Sequence, residues 1–198
     1  MISMIFSLIF AYILGSVPSG LIIGKSVYGV DLREHGSKNI GATNAWRTLG
    51  KAAGFLIFVC DFLKGFISVY IAAVLSGTPL AMALAGALAI IGHSLSIFLK
   101  FKGGKGVATG LGVIAMLMGK VTIIVFLIWF AIVYFTRYVS LGSCVAAAFV
   151  PILAYVFNEP SEFVIFGVVV AVLIIVRHKA NIERLLNGTE SKISAAKK

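Results

Sequence analysis

Phe101-Lys102-Gly103-Gly104-Lys105-Gly106-Val107-Ala108-Thr109-Gly110 is a polar, glycine-rich interruption between two strongly apolar runs. Glycines at 103, 104 and 106 let backbone N–H groups approach a ligand closely, and Lys102 and Lys105 add point charge. Together they describe an anion site, with phosphate the best fit. The runs on either side, Leu80 to Leu99 and Val107 to Thr136, read as membrane-spanning helices. The stretch is then a turn at one membrane face, and the fold follows from counting spans outward from it.

A soluble domain carries about 25% charged residues. This 198-residue chain has 12% charged and 60% hydrophobic residues, with a mean hydropathy of +1.07. The expected fold class is all-α: a polytopic membrane helical bundle forming one transmembrane domain over residues 1–190, followed by a basic, frayed tail over residues 191–198. Continuous apolar runs, without period-two alternation, argue against a β-barrel. The net charge of +10 would suggest nucleic acid in a soluble protein. Here it reads as lysines and arginines gathered in cytosolic loops, and no nucleic-acid partner is inferred. Cys60 and Cys144 lie in apolar runs without CxxC or Cys/His spacing, so they read as packing residues, with no zinc site or disulfide. The N-terminus has no basic n-region and no small-x-small cleavage site, which predicts a retained first helix.

The first span is Ile2 to Gly24, loosened near its end by Gly15-Ser16-Val17-Pro18-Ser19-Gly20. Lys25 to Lys51 is the longest polar segment. Ala52 to Leu75 spans again, Ser76-Gly77-Thr78-Pro79 turns, and Leu80 to Leu99 returns to the basic stretch. Val107 to Thr136 is long for one span and short for two, since a span needs about 20 residues. Gly119-Lys120 divides it into two short helices. Val139 to Phe157 and Phe163 to Val176 complete the set. The segment Asn158-Glu159-Pro160-Ser161-Glu162 has no basic residue, whereas the tail carries Arg177, Lys179, Arg184, Lys192, Lys197 and Lys198. Placing the tail and both basic loops in the cytosol requires an even number of crossings between Lys105 and Arg137. The expectation is seven transmembrane helices, with the N-terminus outside and the C-terminus cytosolic. Gly20/Gly24, Gly50/Gly54 and Gly106/Gly110 would let the first, second and fourth of these helices approach closely at their cytosolic ends.

Four polar groups then share the cytosolic face: Asp31 to Arg47, Lys100 to Thr109, Arg137 to Ser143, and Arg177 to Arg184. Orientation alone accounts for Lys100, Lys192, Lys197 and Lys198. It does not require Gly36-Ser37-Lys38-Asn39, Thr43-Asn44 or Gly103-Gly104, whose amides, hydroxyls and glycines are suited to hydrogen bonding. A Walker-type loop is excluded by spacing, because Lys105 is followed by Gly106 and Leu99 stands where the first glycine belongs. There is no Gly-x-Ser-x-Gly elbow, HExxH pair or carboxylate dyad, so a transferase built this way would use an already activated donor. Asp61 and Lys64, three apart on one helix face, read as a structural ion pair. His93 reads as a packing or hydrogen-bonding residue and His35 as solvated. His178, at a helix boundary beside Asn181, is the better catalytic candidate.

These residues resemble the bacterial acyl-phosphate-dependent glycerol-3-phosphate acyltransferases. The resemblance lies in Gly15-Ser16-x-Pro18-Ser19-Gly20, in Asp31-Leu32-Arg33 through Gly36-Ser37-x-Asn39-x-Gly41-Ala42-Thr43-Asn44-x-x-Arg47, and in Gly92-His93 through Thr109. It extends through Asp61-x-x-Lys64-Gly65, Arg137-x-x-Ser140-x-x-Ser143 and His178-x-x-Asn181-Ile182-x-Arg184-Leu185, in order from Gly15 to about Glu190. Two positions depart from it. Ser96 stands where proline is frequent, which would relax the end of the third span, and Lys38 stands where a small residue is common.

The resemblance implies acyl transfer from acyl phosphate to the 1-position of sn-glycerol 3-phosphate, the first committed step of phospholipid synthesis, in the bacterial cell membrane. It implies seven helices and no thioester donor, and no residue in the sequence calls for a cofactor or a metal. The expected partners are the two substrates and the bilayer, with no obligatory protein partner. Lys105, Arg47, Ser37 and the Gly103-Gly104 backbone are assigned to phosphate. Asn39, Thr43, Asn44 and Ser143 are assigned as further hydrogen-bonding partners, and His178 and Asn181 act with Lys105 at the reacting centre. An organic-phosphate transporter is the rival reading, disfavoured because polar residues crowd one face and no repeat is visible. A scaffold for anionic lipid would explain the charges but not the glycine and asparagine spacing.

Overall fold

The structure, a computed structural model, describes residues 1–193. The expectation of fraying over residues 194–198 lies outside the described residues. Within the described tail, the Ser191 carbonyl accepts from Arg47 and the Ile193 N–H donates to the Arg137 carbonyl, so this part is tied down.

All regular elements among the described residues are helical. The first apolar span is broken into α1 (Ile2–Ser16) and α2 (Ser19–Tyr28). Pro18 lacks an N–H and interrupts the helical ladder there. The break leaves the Ser16 and Val17 carbonyls in need of partners. Ser96 Oγ donates to the first at 2.6 Å and Lys64 Nζ to the second at 2.9 Å. Ser96 therefore ties the exit of the third span to the first and does not relax it. Lys64 also pairs with Asp61 at 2.8 Å, so this buried cation is held by a carboxylate and a carbonyl.

The polar segment that follows contains only the short α3 (Ala42–Thr48). Then come α4 (Lys51–Ser76) and α5 (Pro79–Ser94), the latter started by Pro79 and by Thr78 Oγ1 accepting from Ala81 N. A 3-10 turn, Ile97–Leu99, leads into the glycine-rich loop and α6 (Val107–Leu117). Met118 separates α6 from α7 (Gly119–Thr136), close to the division expected at Gly119-Lys120. After α8 (Val139–Val156) come α9 (Ser161–Arg177) and α10 (Lys179–Leu186), bent by 60° at His178.

Five stretches are long and apolar enough to cross a membrane, or six if α9 and α10 form one broken span. α6, with 11 residues, rises only about 16 Å, against a hydrocarbon core of about 30 Å. Outward-facing Phe130, Phe135, Tyr155 and Ile165 are exposed, while Val69, Ile90, Val113, Val121 and Phe166 are buried between helices. An apolar exterior around an apolar core suits a lipid surround.

Glycine governs the tightest helix contacts, but not through the expected pairs. Gly65 of α4 meets the Thr109 backbone of α6, and Gly112 of α6 meets the Phe62 carbonyl of α4. Gly20 and Gly54 instead receive Ile40 and Trp46 of the polar segment, and Gly50 has no neighbour within 4 Å. The first two expected pairs thus seat a loop and α3, whereas Gly106 and Gly110 face Ile90 of α5, and Gly110 also Ile174 of α9. Gly65→Ala is expected to push α4 off α6 and lower stability by about 1–3 kcal/mol. Gly119→Ala, which meets nothing within 4 Å, should be tolerated. Thermal unfolding in detergent, followed by size-exclusion chromatography, distinguishes the two.

Candidate functional site

The glycine-rich loop folds back over the end of α5. Lys100 and Phe101 adopt left-handed backbone conformations (φ 51° and 62°). The chain then runs beside α5, with Gly103 N donating to Ser94 O at 3.1 Å and Gly104 N to His93 O at 3.0 Å. A Cβ at Gly103 would strike the His93 carbonyl, and one at Gly104 the His93 ring. This corrects the expected role of Gly103 and Gly104. Their N–H groups are already engaged, and their lack of side chains serves close packing. Neither residue lines the adjoining cavity, whereas Lys105, Gly106, Val107 and Ala108 do. Gly106, at φ 81°, turns the chain into α6, whose first N–H groups lie at that wall.

Lys105 donates from Nζ to Asn181 Oδ1 at 2.5 Å. Burial pushes its ammonium down to about 8, partly opposed by the negative charge of Glu190 and reinforced by Arg184 and Arg47. Asn181 Nδ2 in turn donates to Glu190 Oε1 at 2.7 Å, as does Ser140 Oγ, while Arg184 Nε donates to Oε2 at 2.7 Å. Burial works against ionisation of Glu190. The bonds from Asn181, Ser140 and Arg184 outweigh it and hold the carboxyl below its ordinary range. Arg47 reaches the same cluster, donating from Nη2 to Ser191 O at 2.6 Å, and its buried Nε has no protein partner. His178 is buried at the α9–α10 bend, with Nδ1 2.8 Å from Ile174 O. A carbonyl only accepts, so Nδ1 carries the proton and Nε2 is the nitrogen left for other chemistry.

The Asp31–Arg47 segment is organised by Asn44. Its Nδ2 donates to Asn39 O at 2.8 Å, His35 O at 3.0 Å and Leu32 O at 3.1 Å, and its Oδ1 accepts from Ser37 N at 2.9 Å. Asn44 shapes the loop through these bonds and also lines the cavity. Asn39 Oδ1 closes a local turn with Gly41 N. Ser37, Asn39, Thr43 and Arg47 all line the cavity. Ser143, buried on α8, donates to Val139 O at 2.8 Å and lines it as well.

The cavity has a volume of about 400 Å³. Its lining changes character along three helices. From Lys105 it passes through Ala108 and Leu111 to Ile114, from Ser140 through Ser143 and Ala147 to Val150, and from Asn181 through His178 and Ile174 to Val170. The ten helical steps from Ser140 to Val150 on α8 cover about 15 Å of this gradient. Such a chamber can hold an anion at one end and a hydrocarbon chain along the rest.

Of the expected site residues, Ser37, Asn39, Thr43, Asn44, Arg47, Lys105, Ser143, His178 and Asn181 border this one cavity, and Gly103 and Gly104 do not. The residue-level reading passed over Glu190, one of two acids, with Glu183, set among the basic groups of the C-terminal segment. It also passed over Ser140, three positions before Ser143 on the same helix face. A carboxylate–histidine approach formed by distant positions was missed too: Asp61 Oδ1 lies 3.6 Å from His93 Nδ1, and both residues line the cavity.

Comparison with known proteins places the chain in a family. Residues 5–188 match the family model for glycerol-3-phosphate acyltransferase. A glycerol-3-phosphate acyltransferase of Fusobacterium nucleatum is 45% identical over 185 residues, covering 93% of this chain and 95% of its own. That of Endomicrobium trichonymphae is 44% identical over 198 residues, with both chains fully covered. The crystal structure of PlsY (YgiH), an integral membrane glycerol 3-phosphate acyltransferase, superposes in its glycerol 3-phosphate form with a TM-score of 0.92, 43% identity and coverage of 97% of this chain and 96% of its own. Its lysophosphatidic acid form gives 0.90 and 42%, covering 96% of this chain and 95% of its own. This chain belongs to the glycerol-3-phosphate acyltransferase family, as an integral membrane acyltransferase.

Proposed function

We propose that this protein transfers a fatty acyl group from acyl phosphate to the 1-position of sn-glycerol 3-phosphate, releasing lysophosphatidic acid and inorganic phosphate at the cytosolic face of the bacterial cell membrane. One observation carries the reading: a single cavity joins the half-buried cations Lys105 and Arg47 to an apolar chamber bounded by α6, α8 and α9. A soluble phosphate and a lipid tail can be held there together.

The same cavity supports seven crossings. Lys105 precedes α6 and Ser140 follows α7, yet both belong to its polar part. That favours α6 and α7 as an outward and a return crossing, despite the shortness of α6. Adding α6 to the five apolar stretches and the bent α9–α10 pair makes seven crossings, which puts the N-terminus outside when the C-terminus is cytosolic.

Acyl phosphate is a mixed anhydride, so no enzyme nucleophile is needed. The 1-hydroxyl oxygen forms a bond to the acyl carbon, and the bond from that carbon to the phosphate oxygen breaks. The hydroxyl proton passes to the departing phosphate. Lys105, Arg47 Nε and the first N–H groups of α6 stabilise phosphate charge, while Ser37, Asn39 and Thr43 hold the acceptor. Asn181 fixes Lys105, His178 presents Nε2 toward the reacting centre, and Ser143 lies where the polar wall gives way to the acyl chamber. Catalysis here rests on positioning and charge stabilisation.

Purified protein should release phosphate from palmitoyl phosphate only when glycerol 3-phosphate is supplied, and Lys105→Ala should lower turnover by about 10²–10³-fold. A folded protein with no acceptor-dependent release would overturn the acyl-phosphate donor. The Lys105 ammonium also predicts a pH dependence. With its pKa depressed to about 8, it is charged below that pH and neutral above it. Affinity for glycerol 3-phosphate should therefore hold from about pH 7 to about pH 8 and weaken at higher pH, while Lys105→Arg, permanently charged, should lose this dependence. Calorimetric titration with glycerol 3-phosphate across that range measures it.

A further inference from the structure

Arg177 closes α9, one residue before His178. By charge alone it belongs with the cations that orient the chain. Its contacts are of another kind. Nη2 lies 3.0 Å from Gly104 O, 3.1 Å from Gly103 O and 3.2 Å from Ser94 O. These carbonyls come from two passages of chain, the end of α5 and the two residues immediately before Lys105. Three carbonyl oxygens aimed at one point repel one another unless a donor sits between them. A guanidinium supplies that donor, and its positive charge strengthens the bonds. The last carbonyls of α5 carry the negative end of its dipole, which adds to the attraction.

The loop's other backbone ties, from Gly103 N and Gly104 N, run to α5. Arg177 is what joins its backbone to α9, the helix that ends at His178. We propose that Arg177 is a positioning residue for acyl transfer: it clamps the Ser94, Gly103 and Gly104 carbonyls and thereby sets Lys105 against Asn181 in the same frame as His178. The kinetic part of this inference rests on the acyl-transfer reading above. The clamp itself does not.

The test compares the parent protein with Arg177→Lys and Arg177→Met. It measures kcat and KM for glycerol 3-phosphate, thermal stability, and hydrogen–deuterium exchange of the peptide spanning residues 94–106. A shorter ammonium keeps the charge but cannot occupy the same point, and methionine removes the donor altogether. Protection of the loop amides and kcat should fall together in the order Arg, Lys, Met. The loss in kcat should be about tenfold for Lys and about a hundredfold for Met, while the bundle keeps its unfolding temperature. The clamp is refuted if Arg177→Met matches the parent in kcat, or if kcat falls while exchange across 94–106 stays unchanged. Should Arg177→Met not survive extraction, Arg177→Lys decides by the same two readouts: parent-like exchange and kcat refute the clamp, and joint loss supports it. Exchange needs no turnover. A parent protein without acyl transfer would thus sink the reaction reading and leave the clamp decided by exchange alone.

Discussion

A cation partly withdrawn from water is the constraint on which this site depends. Lys105 is pressed into the cavity wall, and its charge is tolerable there only because Asn181 accepts from it and Glu190 stands behind Asn181. Glu190 in turn requires Ser140 and Arg184 to remain ionised in a buried position. One chain of hydrogen bonds therefore joins the loop before α6, the start of α8, α10 and the C-terminal segment. Each member is satisfied by the next, and none of the four segments makes the site alone.

The spanning helices solve the related problem for the backbone. In lipid a carbonyl freed from its helix has no water to turn to. The break at Pro18 frees two, and Ser96 and Lys64 meet them from the helices alongside. The Asp61–Lys64 pair is consequently more than a charge pair within α4, because it fastens α4 to the broken first span. Backbone contact at Gly65 and Gly112 then brings α6 against α4, and α6 carries the wall that begins at Lys105. The position of the anion-binding end is set by helix packing on one side and by the Arg177 clamp on the other.

Local sequence reveals where these features lie better than which atoms they use. The break near Gly119, the weakness around Pro18 and the polarity of the Lys100–Thr109 stretch depend on composition and on the behaviour of proline and glycine, so they are legible in one dimension. The engagement of Gly103 and Gly104 with α5 is not, since it follows from a reversal in which Lys100 and Phe101 adopt left-handed conformations without glycine. Asn44 illustrates the same limit. Its type predicts hydrogen bonding, but whether its partners are substrate or its own loop is fixed by how Leu32 to Asn39 wraps around it. Glu190 and Lys105 are brought into one network through Asn181, 76 residues beyond the lysine, a separation at which periodicity carries no information.

Charge balance explains why this network suits an incoming phosphate. Arg47, Lys105 and Arg184 approach one another around a single carboxylate, Glu190, and each of these cations acts unfavourably on another of the group. The cluster is therefore deficient in negative charge as it stands. A phosphate entering beside Lys105 would relieve cation–cation repulsion in addition to making its own bonds, and departure of phosphate after transfer would restore that repulsion. Glu190 makes the empty site tolerable without neutralising it. An apolar replacement there would leave three cations unbalanced, and a second carboxylate would compete with the ligand. One acid among three bases, at the head of an apolar chamber, is an arrangement that would let a phosphorylated substrate bind and, in the proposed reaction, its phosphate leave.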